Sequence, residues 1–96
     1  MEQSAFVFQA VLWRYAGPTA WYFVTLPLAV AAQIRPHAAK VGFGSVRVRA
    51  CIGGTSWKTS VFPDKASGSY LLPVKAQVRK QEALSEGAEV VVFLEL

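Results

Sequence analysis

Hydrophobic and polar residues alternate over several short stretches of this chain, each closed by glycine or proline. In residues 45–52 Val46, Val48, Ala50 and Ile52 fall on one side and Arg47, Arg49 and Cys51 on the other, the period-2 signature of a half-buried strand. Residues 5–15 alternate Phe6, Phe8, Ala10 and Leu12 against Val7, Gln9, Val11 and Trp13. Both sets are largely apolar, so this long strand is expected to be covered on both faces over part of its length. Further strands are predicted at residues 21–26, 56–62, 69–72 and 88–96. Gly17-Pro18-Thr19, Gly53-Gly54-Thr55 and a turn built from Pro63-Asp64 and Ser67-Gly68 connect them. Two stretches change to helical spacing. Pro27 suits the first turn of a helix that runs to about Arg35 and is ended by Pro36. The second helix is predicted over residues 74–84. The expected buried stripes are Leu28, Ala31, Ala32 and Ile34 on the first helix, and Val74, Val78 and Leu84 on the second. Val41-Gly42-Phe43-Gly44 reads as a flexible lead-in to the next strand.

The same order of elements occurs twice. A strand ends in Leu26-Pro27 and another in Leu72-Pro73; a helical stretch follows, ending in Ile34-Arg35 or Val78-Arg79; Gly44 or Gly87 then restarts a β-rich run. This pattern points to internal duplication of one strand–helix–strand unit. Each unit alone would leave open strand edges and a half-buried face, so two copies are expected to interlock. The predicted fold class is mainly β: a six-stranded split, swapped-hairpin-like β-barrel with two short helices and an internal pseudo-two-fold, forming one domain over residues 1–96.

Composition fits a compact body, with 53% hydrophobic and 17% charged residues. A formal net charge of +4 and a pI of about 9.6 permit polyanionic partners without demanding them. Cys51 is the only cysteine, which excludes an intrachain disulfide and a thiolate cluster and makes a reducing cytoplasm the expected setting. Twenty uncharged residues separate Arg14 from Arg35, a length that can span a bilayer. The turn at Gly17-Pro18-Thr19 and the interruption at Pro27 read better as strand then helix, so no membrane segment is expected. Met1-Glu2-Gln3 lacks the basic start of a signal peptide.

The sequence does not present a catalytic constellation. His37 is the only histidine and follows Pro36 at a helix end, where its simplest place is the surface. The acids are scattered and form neither an acid–base pair nor a metal-ligand pattern, so no catalytic residue, metal or cofactor is expected. The most chemically varied segment is residues 55–60. Thr55, Trp57, Lys58, Thr59 and Ser60, with Asp64 in the adjoining turn, form the candidate ligand-binding set. The plainer reading puts Trp57 in the core, Lys58 in solvent, the hydroxyls in cross-strand bonds and Asp64 in the turn. The alternative interface is basic. Arg47 and Arg49 share a strand face and Lys75 and Arg79 share a helix face at i, i+4; with Lys80 they suit nucleic-acid phosphates. Glu82 and Glu86 continue that helix's exposed side and argue for an ordinary solvated face.

The run Gly53-Gly54-Thr55-Ser56-Trp57-Lys58-Thr59-Ser60-Val61-Phe62-Pro63-Asp64, then Gly68-Ser69-Tyr70-Leu71-Leu72-Pro73-Val74-Lys75 and Val78-Arg79-Lys80, resembles the family called domain of unknown function 1905. Trp13, Gly17, Trp21, Phe23-Val24, Leu26-Pro27, Gly42-Phe43-Gly44 and the run from Gly87 to Leu96 match its pattern too. The resemblance implies a six-stranded split barrel of small bacterial and archaeal proteins. In some relatives it is joined to a C-terminal domain implicated in bacteriocin resistance; this chain is expected to be the stand-alone form. The second half is also similar to swapped-hairpin transcription factors of the AbrB and MazE type, except that Ala88 stands where those carry an acidic residue after the glycine. The family's activity is unknown, so the resemblance leaves function open. The reading is a non-enzymatic binding or interaction module for a protein or small ligand, a monomer or weak dimer. The alternative is a nucleic-acid-binding protein, and a small enzyme comes third.

Overall fold

The computed structural model describes residues 4–38 and 44–96. In chain order these form β1 (Ala5–Val11), β2 (Trp13–Arg14), β3 (Tyr22–Thr25), α1 (Leu28–Ile34), a 3-10 turn (Arg35–His37), β4 (Val46–Ile52), β5 (Thr55–Asp64), β6 (Ser69–Pro73), α2 (Ala76–Gln81) and β7 (Glu89–Glu95). The strands make one curled, antiparallel, seven-stranded sheet in the order β1-β7-β4-β5-β6-β3-β2. Alternation in β4 has its expected consequence: Val46, Val48, Ala50 and Ile52 are buried, while Arg47 and Arg49 are exposed; Val90, Val92 and Leu94 of β7 are buried as well. Inside the curl these side chains meet Leu12, Val24, Leu26, Ile34, Leu72 and Val78 in one apolar cluster.

The mainly-β class and the two helices agree with the sequence reading; the count of six strands does not. The long first strand breaks at Leu12, whose side chain is fully buried, so β1 pairs with β7 and β2 with β3. Coverage of β1 also differs from expectation. Phe6 and Phe8 are buried, whereas Val7 and Val11 are 60% and 49% exposed, so only one face of the strand is covered. On α1 only Ala31 and Ile34 are buried; Leu28 and Ala32 face solvent, since a helix of seven residues presents a narrow stripe. The α-helix ends at Ile34, as expected from Pro36, which sits in the 3-10 turn that follows, where its missing N–H leaves no bond unmade. The lead-in at Val41-Gly42-Phe43 lies outside the described residues.

The most consequential local feature lies where β5 leaves β6. β5 pairs with β4 from Thr55 to Val61 but meets β6 only at Phe62, Pro63 and Asp64. Upstream of Phe62 the two strands part, and α2, which follows β6, docks beside the gap. Thr55 Oγ1 donates to Glu82 Oε2 at 2.6 Å and stands 3.3 Å from Gln81 Oε1, tying β5 to the helix end. Glu82 therefore does not continue a solvated face, as the sequence pattern implied. Its carboxylate also lies against Gly53, so any Cβ at Gly53 would run into Glu82, and Gly53 has φ +59° besides. Positive φ at the first position of a two-residue hairpin loop matches the twist of the flanking strands.

α2 is shorter than residues 74–84 because its C-terminus is closed by a Schellman arrangement. Leu84 N donates to Arg79 O at 2.8 Å and Ala83 N to Lys80 O at 3.3 Å. Ala83 holds the left-handed position there with φ 54°, a conformation that costs an alanine about 1–2 kcal/mol. Ala83→Gly relieves that strain and loses about 0.4–1 kcal/mol through the freer unfolded chain. A net gain of roughly 0.5–1 kcal/mol in urea unfolding is expected; a loss of stability would contradict the cap assignment. Gly53→Ala should destabilise, by the clash with Glu82, in the same assay.

Candidate functional site

The parting of β5 from β6 leaves a cleft of about 280 Å³. Its lining includes Trp57, Lys58 and Thr59 of β5, Lys75 at the N-cap of α2 with Ala76 and Arg79 within it, and Trp21 just before β3 with Tyr22 at its start. Each part has a local cause. Trp57 alternates inward, is 8% exposed and packs in the core while its ring borders the cleft. Lys58, its neighbour on the opposite face, reaches the same opening because the sheet has no β6 partner at that level. Lys75 and Arg79 stand one helical turn apart, as predicted, and both face the opening.

Arg79 is the fixed cation of the group. Its guanidinium carbon lies 3.8 Å from the centroid of the Tyr22 ring and its Nε donates to Val74 O at 3.1 Å. A guanidinium stacked on an aromatic face is attracted by the ring quadrupole, by about 0.5–2 kcal/mol depending on solvation. Lys58 and Lys75 are exposed. The cleft thus joins aromatic walls to three cations from two elements.

The structure brings together Trp57, Lys58 and Thr59 from one candidate set and Lys75 and Arg79 from the other. The remaining candidates lie elsewhere. Thr55 is engaged by Gln81 and Glu82. Ser60 is half-buried opposite Arg47 on β4. Asp64 Oδ2 accepts from Ser67 N at 3.1 Å and Ser67 Oγ at 2.7 Å, which is turn chemistry. Lys80 is exposed on α2, away from the cleft lining. Arg47 and Arg49 line a separate shallow depression with Lys58, Glu95 and Leu96. His37 is exposed in the 3-10 turn. Among the described residues no group of three His, Cys, Asp or Glu side chains is placed to hold a metal ion.

Two residues of the cleft were not singled out from sequence, Trp21 and Tyr22. The available signal was the run Trp21-Tyr22-Phe23: three consecutive aromatics in a strand cannot all point into one core.

The family model for a domain of unknown function (DUF1905) matches residues 8–94. The chain belongs to that family. No curated protein matches it. Among the described residues no helix is long and apolar enough to cross a membrane.

Because Trp57 is both wall and core, Trp57→Ala should lower stability by about 3–5 kcal/mol, the cost of emptying a buried aromatic site. Chemical denaturation measures this; a loss below about 1 kcal/mol would remove Trp57 from the core.

Proposed function

We propose that the protein is a non-enzymatic binding module whose cleft between β5 and α2 takes a ligand with an anionic group and a planar ring. The observation that carries this reading is the convergence of Lys58, Lys75 and Arg79 with Trp21, Tyr22 and Trp57 on one opening. Cations there offer charge-assisted hydrogen bonds to an oxyanion, and the exposed Trp21 ring offers stacking. None of the described residues that line the cleft is Asp, Glu or His. That leaves the cleft without an evident general base and favours binding over turnover. A cytoplasmic setting, inferred from the unpaired Cys51, goes with the proposal.

We also infer that the curled sheet is a six-stranded barrel assembled from two interlocked copies of one unit. Counting β1 and β2 as one strand, the neighbour relations of the sheet order are unchanged when the first-half strands are exchanged with β5, β6 and β7. Between the two Leu-Pro corners, Leu26 N donates to Tyr70 O and Val74 N to Tyr22 O, so each half supports the other.

Thymidine monophosphate, thymidine and inorganic phosphate, titrated separately and followed by the Trp indole NMR signals, test the cleft. Saturable shifts with thymidine monophosphate, and weaker ones with either fragment, are expected. Lys58→Ala and Lys75→Ala should each weaken binding roughly five- to tenfold, the effect of an exposed charge-assisted contact. No shift with the monophosphate at millimolar concentration would refute the proposal.

A further inference from the structure

The cleft is the middle of a longer surface path. Trp21 is shared between it and a hollow of about 330 Å³ lined by Tyr15, Thr19, Phe23 and Leu71. Lys58 is shared between it and the depression that carries Arg47 and Arg49. The three concavities therefore run together across β3, β6, β5 and β4, which are consecutive in the sheet. One end is aromatic. Trp21 and Phe23 stack nearly parallel, with centroids 6.0 Å apart and planes at 13°, and Trp21 and Tyr15 are 53% and 52% exposed. The other end is cationic, with Arg49 directly opposite Lys58 across the β4–β5 ladder and Arg47 two residues along. Glu95, opposite Arg49 on β7, is the one acid in that depression.

Exposed ring faces beside a line of cations match an unpaired nucleotide chain: bases stack on the rings and phosphates follow the charges. A duplex fits poorly, because its base faces are already stacked inside and the path presents no element that enters a groove; α2 is six residues long and is anchored by Val78 in the core. Resting on the cleft reading above, we propose that this path binds single-stranded nucleic acid, with Tyr15 and Trp21 as the stacking platform, Phe23 supporting Trp21 from beneath, and Arg79, Lys75, Lys58, Arg49 and Arg47 as the phosphate track. The formal charge of +4 has the sign this requires.

Fluorescence anisotropy with labelled oligothymidylate of about 12 nucleotides, within the ~4–16 nucleotide range of small β folds that bind single strands, tests the proposal against the matching duplex and thymidine monophosphate. The expected order is single strand tighter than duplex, and at least tenfold tighter than the monophosphate. If all five cations meet phosphates, log K should fall against log salt with a slope approaching about −3.5, and Lys58→Ala should reduce it by about 0.7. Trp21→Ala should weaken strand binding about 5- to 150-fold, the usual range for one lost base stack. Its side chain is half exposed, so the variant should fold; Tyr15→Ala, equally exposed, is the second probe. Binding of the monophosphate with no gain from the strand would overturn this inference and leave the cleft reading standing. Equal affinity for the duplex, or unchanged strand affinity in both aromatic variants, would overturn it as well.

Discussion

Leu12 is the residue on which the geometry depends. It stands alone between β1 and β2, with its side chain fully buried, its N–H donated to Ala88 O at 2.9 Å and its carbonyl accepting from Gly87 N at 2.8 Å. The residues before it pair with β7 and those after it with β3, at opposite ends of the sheet order. In a flat sheet those ends would be six strand spacings apart, about 29 Å, whereas one residue of extended chain covers about 3.3 Å. The only way to satisfy both pairings is to curl the sheet. Curvature then gives it an inside, where the apolar members of each alternating strand collect, and an outside where Val7, Val11, Val91 and Phe93 remain in solvent.

The helices are secured by a reciprocal use of arginine. Arg35, just beyond α1, places its guanidinium 5.8 Å from the Tyr70 ring centroid and donates to Gly68 O at 3.1 Å. Arg79 does the corresponding thing at Tyr22 and Val74 O, at closer range. Each helix end from one half of the chain is thereby held to a ring of the other half. The two contacts are not equivalent. Tyr70 is buried and its arginine is exposed at the rim, while Tyr22 and Arg79 are both half-buried and border the cleft. α2 is also braced at its far end by Glu82 on Thr55, so Lys75 and Arg79 project from a helix anchored at both ends.

Features set by neighbouring residues were readable from sequence. The alternation in β4, the Leu-Pro corners and the Asp64 turn follow from period-2 patterning and turn chemistry, which act over a few residues. What failed was set by distant contacts. Leu28 and Ala32 have the right residue type for a buried stripe, but α1 buries Ala31 and Ile34, with Val30 partly buried beside them. Val7 and Val11 look like a second covered face, yet cover depends on what packs outside the sheet, which alternation does not encode. The break at Leu12 is invisible in an unbroken apolar run because it is a change of pairing partner. The cleft falls between these cases. Both of its candidate groups, Trp57 with Lys58 and Lys75 with Arg79, were legible, but as competing sites. Their union required knowing that β5 and β6 part above Phe62.

That union also sets how the cations would divide the work in the proposed cleft. A long side chain captured by a ligand loses rotamer freedom, about 2 kcal/mol in all for lysine or arginine. Tyr22 and Val74 already restrict Arg79, so much of that loss is met in folding and little is left to oppose an arriving anion. Lys58 and Lys75 are exposed, so each would incur the loss on binding, and water screens their charge. Arg79 would therefore contribute most to holding the anion, while the lysines would mainly attract it and respond to salt. Tyr22 enters through Arg79: removing its ring would leave the charge of the cleft unchanged and still weaken binding, because the guanidinium would have to be ordered anew for each ligand.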